Sequence, residues 1–127
     1  MARQRILVVE DDPSIRRVLQ IVLSQAGYQV IEAGDGHEAM RLWCDQGADL
    51  VITDLHMPNK NGLEVIIELR ALSPSTPIVA MTGGGRSNDI ELLGDARLFG
   101  AVRTVAKPFR FEEMLAVVQQ ELDRDRR

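Results

Sequence analysis

What most constrains this chain is a repeated change of hydrophobic period. Five short runs rich in Val and Ile (Ile6–Val9, Val30–Ala33, Leu50–Ile52, Ile78–Met81 and Val102–Ala106) are too short for helices and too uniformly apolar for strands with one wet face. Longer stretches between them carry apolar residues at helical spacing. Ile15, Val18, Leu19 and Val22 make one stripe; Leu63, Ile66 and Ile67 make a second; Phe111, Met114, Leu115, Val118 and Leu122 make a third. Weaker stripes run over Gly36–Gln46 and Asn88–Phe99. Gly27, Gly47 and Gly100 stand where helices should end, Asp12 precedes Pro13 as a cap before a first-turn proline, and Ser87 can cap the fourth helix.

Buried strands alternating with helices predict an α/β domain whose parallel sheet is covered on both faces. Right-handed crossovers leave few topologies, and a flavodoxin-like doubly wound sheet, five strands in the order 2-1-3-4-5 with five helices, fits the length. The 127 residues make one domain, 1–127, with an ordered core over about 4–123, a polar tail from Asp123 to Arg127 expected to fray, and no effector domain expected after the fifth helix. A net charge of -4 gives no electrostatic reason to expect nucleic acid or an anionic membrane as partner. The single cysteine, Cys44, excludes an intrachain disulfide and a cysteine metal cluster. The N-terminus turns acidic too soon for a signal peptide and no apolar run approaches a membrane span, so the cytoplasm is the expected location.

Doubly wound sheets bind ligands beyond the carboxyl ends of their strands. Here the first strand ends in Glu10 and Asp11, the third in Asp54, the fourth in Thr82, and the fifth runs into Lys107. Asp is depleted in strands, so strand stability does not call for acids there. Carboxylates at 4 Å repel by about 1 kcal/mol in water and roughly 4 at an effective dielectric of 20, which favours a cation among them. Mg2+ suits one or two carboxylates, waters and a phosphate oxygen; calcium would want more oxygen ligands, and zinc its usual Cys and His. A metal-bound carboxylate can attack phosphorus, with Lys107 supplying a compact charge and Thr82 a hydroxyl to the phosphoryl oxygens. The added charge can draw Thr82 and its loop inward, which makes a switch.

ILVVEDDP, VITDLHMPNKNG, IVAMTGG and VAKPF, in that order and at those strand ends, together resemble the bacterial response-regulator receiver family over nearly the whole chain. The resemblance implies a two-component signalling module: Mg2+-dependent transfer of a phosphoryl group from the phosphohistidine of a sensor histidine kinase or phosphotransfer protein to Asp54, switching a protein-interaction surface. It implies that Asp11 binds metal directly, that Glu10 acts mainly through water, and that the backbone carbonyl of His56 is a further ligand. Gly83 would be the small residue that leaves room for the phosphoryl group, and Lys107–Pro108 would be cis. Such a domain is not a conventional enzyme, yet it would catalyse its own phosphorylation and slow hydrolysis of the acyl phosphate; Gly84 offers nothing to orient water, so hydrolysis no faster than usual is expected. A downstream protein would meet the face of the fourth helix, fifth strand and fifth helix. The chain departs from the family at Thr104, where an aromatic usually stands, and in a longer stretch from Gly83-Gly84-Gly85-Arg86 to Gly100 that suggests a mobile loop.

Plainer readings stand beside these. Glu10, Asp11 and Asp54 could be solvated loop acids, Lys107 a surface lysine and Thr82 a strand end. The His56 imidazole could be exposed or lie over the phosphoryl pocket. His37 is expected at the surface, Trp43 and Cys44 in packing. Gly83-Gly84-Gly85 lacks the Lys-Ser/Thr ending of a P-loop. Two other functions compete: a non-phosphorylated receiver-like docking module, which Thr104 favours, and a flavin carrier, for which no Ser/Thr-rich phosphate loop follows the first strand.

Overall fold

The computed structural model describes residues 3–57, 61–83 and 103–125. Its elements are β1 (Arg5–Val9), α1 (Pro13–Gln25), β2 (Gln29–Ala33), α2 (Gly36–Gln46), β3 (Leu50–Asp54), α3 (Gly62–Leu72), β4 (Ile78–Thr82), β5 (Arg103–Ala106) and α4 (Phe111–Asp125). Our α4 is thus the helix expected fifth. The helix expected over Asn88–Phe99, with Ser87 and Gly100 at its ends, lies outside the described residues, as do Gly84, Gly85 and Val102.

All strand pairs are parallel and the order is β2-β1-β3-β4-β5, the flavodoxin-like arrangement expected from the alternation. Strand side chains alternate faces, so each apolar run splits between two cores. Ile6 and Val8 of β1, Leu50 and Ile52 of β3, and Val79 and Met81 of β4 pack with Leu19 and Leu23 of α1 and with Met114, Val118 and Leu122 of α4. Leu7, Val9, Val51, Ile78 and Ala80 pack on the other side with Ala39 and Met40 of α2 and Val65, Ile66 and Leu69 of α3. Two covered faces are why the runs show no polar alternation.

Helix ends follow local chemistry. The Asp12 side chain accepts from the Ser14 and Ile15 amides at 2.9 and 3.4 Å, and Asn61 caps α3 by accepting from Glu64 at 3.0 Å. Gly27 (φ 101°) and Gly47 (φ 68°) take the left-handed conformation that other residues resist.

The expected stripes were too wide. Val18 is 38% exposed and Ile67 46%, while Leu23, Val65 and Leu69 are buried. Each residue turns the helix by about 100°, so a seam along Leu19–Leu23 or Val65–Ile66–Leu69 leaves an adjacent position pointing sideways to solvent. Cys44 is exposed rather than packed; the Ala39–Met40 seam and Trp43 cover that part of the sheet. α4 extends to Asp125, into the polar segment that begins at Asp123.

Candidate functional site

Register brings the strand ends to one rim. Val9 lies opposite Thr53, Asp54 opposite Met81, and Thr82 opposite Ala106, so the residues that follow or end these strands emerge at nearly one level. The backbone knits the rim shut: Glu10 N–H donates to the Ala33 carbonyl at 3.0 Å, Leu55 N–H to Met81 at 2.9 Å, and Lys107 N–H to Thr82 at 2.6 Å.

Five of the six residues singled out from the sequence meet there by their side chains or at a strand end. A carboxylate oxygen from each of Glu10, Asp11 and Asp54 lies within 4.8 Å of the other two. Lys107 Nζ donates to Glu10 Oε1 and, at 3.1 Å, to Asp54 Oδ2. Asp54 Oδ1 accepts from the His56 amide at 3.1 Å, and Glu10 Oε2 from the Asp12 amide at 3.1 Å. The sixth, His56, contributes its backbone in this way, while its side chain is exposed. The Lys107–Pro108 bond is cis, as the resemblance implied.

Burial sets the electrostatics. Glu10 is wholly buried and Asp54 is 4% exposed, whereas Asp11 faces solvent. Desolvation pushes the Glu10 carboxyl up to about 7, against the opposing pull of the Lys107 bond and the Asp12 amide. Burial alone would lower Lys107; its bond to Glu10 and the charge of Asp54 outweigh that and leave it raised. The ammonium therefore stays charged among three acids and cannot neutralise them all.

Thr82 adds a second unbalanced feature. Its hydroxyl oxygen is buried and has no hydrogen-bond partner among the described residues. Such a group costs about 1–3 kcal/mol. Gly83 follows it and lines a cavity of about 420 Å3 together with Ile15, Lys107, Pro108, Phe109 and Phe111.

A divalent ion fits this set. The donors are carboxylate oxygens, which suit a hard cation, and three acids share one ammonium. Among the described residues this is the one grouping of three acids, cysteines or histidines able to hold a metal.

The sequence left Gly62 as a motif letter; the structure gives its reason. A Cβ built on Gly62 would lie 2.2 Å from the Asp54 carbonyl oxygen and 2.8 Å from Leu55 Cα. α3 therefore starts directly against the backbone of Asp54. A glycine beginning a helix shortly after a strand-end acid was the available signal.

Comparisons with known proteins agree with this arrangement. The family model described as response regulator receiver domain matches residues 6–119. A DNA-binding response regulator, MtrA of Mycolicibacterium smegmatis, is 41% identical over 97% of this chain and 52% of its own length. The chain thus spans about half the length of that relative. Sporulation initiation phosphotransferase F of Bacillus subtilis is 28% identical over 96% of both chains. Among solved structures, chemotaxis protein CheY4 of Vibrio cholerae superimposes with a TM-score of 0.85 at 32% identity, over 94% of this chain and 98% of that one.

Proposed function

This chain belongs to the response regulator receiver family, and from that premise we propose that Asp54 is the phosphoacceptor of a two-component signalling switch. The observation that carries the assignment is the Asp54 carboxylate itself: nearly buried, gripped on one oxygen by Lys107 and on the other by the His56 amide, beside two further acids. Two fixed bonds aim the carboxylate while leaving lone pairs for attack.

Mg2+ would be held by Asp11, Asp54 and the His56 carbonyl, with Glu10 acting through water, and would supply charge neutralisation between acceptor and phosphoryl group. The chain's own residues do the rest. An Asp54 oxygen attacks the phosphorus of a phosphohistidine, the P–N bond breaks with its electrons going to the imidazole, and a P–O bond leaves an acyl phosphate on Asp54. Lys107, charged throughout, holds one phosphoryl oxygen, as a lysine point charge can. Thr82, whose hydroxyl has no hydrogen-bond partner among the described residues, donates to another phosphoryl oxygen, and Gly83 leaves space beside it.

The donor would be a sensor histidine kinase or a histidine phosphotransfer protein, the partners receiver domains meet in general. The family's output face would include β5 and α4. Thr104, half-buried on β5, replaces the usual aromatic, so output here would not run through a rotating ring. Among the described residues no helix is long and apolar enough to cross a membrane, which fits a cytoplasmic protein.

Intact mass after incubation with acetyl phosphate and Mg2+ tests the assignment. The expected result is one phosphoryl group on the wild type, none on Asp54→Asn and none with excess EDTA. Equal labelling of Asp54→Asn would overturn it.

A further inference from the structure

We propose that Arg16 is a positioning residue that sets the affinity of the acidic trio for its divalent ion; this rests on the reading of Glu10, Asp11 and Asp54 as a metal site. The trio is not uniformly held. Glu10 and Asp54 are buried and fixed by hydrogen bonds through both carboxylate oxygens, whereas Asp11 is exposed, in the turn between β1 and α1. Its direction depends on the backbone that carries it.

That backbone is fixed from below by Arg16. Nη1 of Arg16 donates to the Glu10 carbonyl oxygen at 2.9 Å, while Nε faces Glu32 Oε1 of β2 at 3.4 Å. The carbonyl of Glu10 and the amide of Asp11 belong to one planar peptide group. Holding the oxygen therefore holds the plane from which Asp11 departs. One planar fork reaches both partners at once, which a lysine cannot do.

The surroundings are shaped for this fork. Arg16 sits in the first turn of α1, its own amide bonded to the Asp12 carbonyl at 3.0 Å. Glu32 lies opposite Val8 in the sheet, one step before the rim. Residue 34 is glycine, and a Cβ there would stand 3.3 Å from Arg16 Nη1, tighter than ordinary contact. Arg17 also reaches Glu32, at 3.9 Å, but is mostly exposed and makes no bond to Glu10. It is a natural control.

Electrostatics alone would argue the opposite way. A guanidinium near the trio repels a cation, so removing its charge should tighten binding. Arg16→Lys separates the two effects, because it keeps the charge and loses the fork.

Mg2+ affinity of the folded protein, followed by calorimetry or by amide shifts of the rim, is the measurement. Losing a group that orients a ligand weakens metal binding by about tenfold or more, and this is expected of Arg16→Lys. Gly34→Ala, which leaves Arg16 and Glu32 in place but crowds the fork, should weaken binding in the same direction, and Arg17→Lys should not change it. Melting temperatures taken alongside show whether each variant is folded. Wild-type affinity in folded Arg16→Lys and Gly34→Ala would overturn the proposal, as would tighter binding in Arg16→Met with Arg16→Lys unchanged. If the wild type itself bound no Mg2+, the reading of the acids as a metal site would fail first, a distinguishable result.

Discussion

Val9 and Glu10 are neighbours in the chain and both are wholly buried, yet they belong to regions with opposite logic. Below the rim, burial is matched by apolar contact on both sheet faces, and every strand residue from Ile6 to Val9 gains from leaving water. At the rim, burial works against the side chain. It holds Glu10 with a raised pKa and leaves the Thr82 hydroxyl without a partner among the described residues. The interior holds the strand ends still; the rim sets three acids around one ammonium, an arrangement that the proposed cation and phosphoryl group would complete.

The contrast can be broken from either side. Ile52→Ala, in the middle of β3 with no exposure, should be the most damaging to stability, at about 4 kcal/mol, because it opens a cavity between β3 and the helices covering it. Urea denaturation measures it, and the folded fraction should still take up phosphate. Gly62→Ala should cost about 3 kcal/mol, since a Cβ at 2.2 Å from the Asp54 carbonyl forces α3 or β3 to shift. Unlike the core change, it should also slow acetyl phosphate labelling among molecules that remain folded.

Glu10 sharpens the comparison through pH. Its carboxyl is raised to about 7 in the folded protein against an ordinary value of 4.5, so the folded state binds the proton more tightly than the unfolded chain. Without divalent cation, stability should fall as pH rises from about 4.5 through about 7, by on the order of 3 kcal/mol relative to Glu10→Gln, whose profile should be flatter. Lys107 stays protonated over that window and does not mask it. Denaturation midpoints of the two proteins in EDTA across that range check the slope, and Mg2+ should recover the wild type more at pH 8 than at pH 5. The smallest effect is expected of Thr82→Val, which replaces a buried hydroxyl without a partner among the described residues by a methyl group and should gain about 1 kcal/mol while weakening retention of the phosphoryl group. Thermal melts and the lifetime of the label read the two parts separately.

These residues also differ in how legible they were. Ile6, Ile52 and Val79 announced a doubly covered sheet because every neighbour in their runs was apolar, a local pattern with one physical cause. The acids and Lys107 were legible as strand-end residues, because parallel sheets with right-handed crossovers bring those ends to one side. Asp12 was recognisable as a cap from Pro13 after it. Val18 and Ile67 misled, since apolar character does not reveal where a helix's contact seam stops. Arg16 gave no signal, because its partners Glu32 and the Glu10 carbonyl are brought to it by sheet pairing and by a helix turn.

The sequence by itself determined the α/β alternation and the set of side chains at the strand ends, since these follow from hydrophobic period, and it narrowed the sheet order to a few topologies through crossover handedness; the structure shows which one. Tertiary structure alone decided which acid lost its water, that Lys107 bridges Glu10 and Asp54, that the Thr82 hydroxyl is buried, and that Gly62 must lack a side chain. Those facts depend on distances between segments far apart in the chain. Only packing fixes such distances, and burial and Coulomb energies change steeply with them.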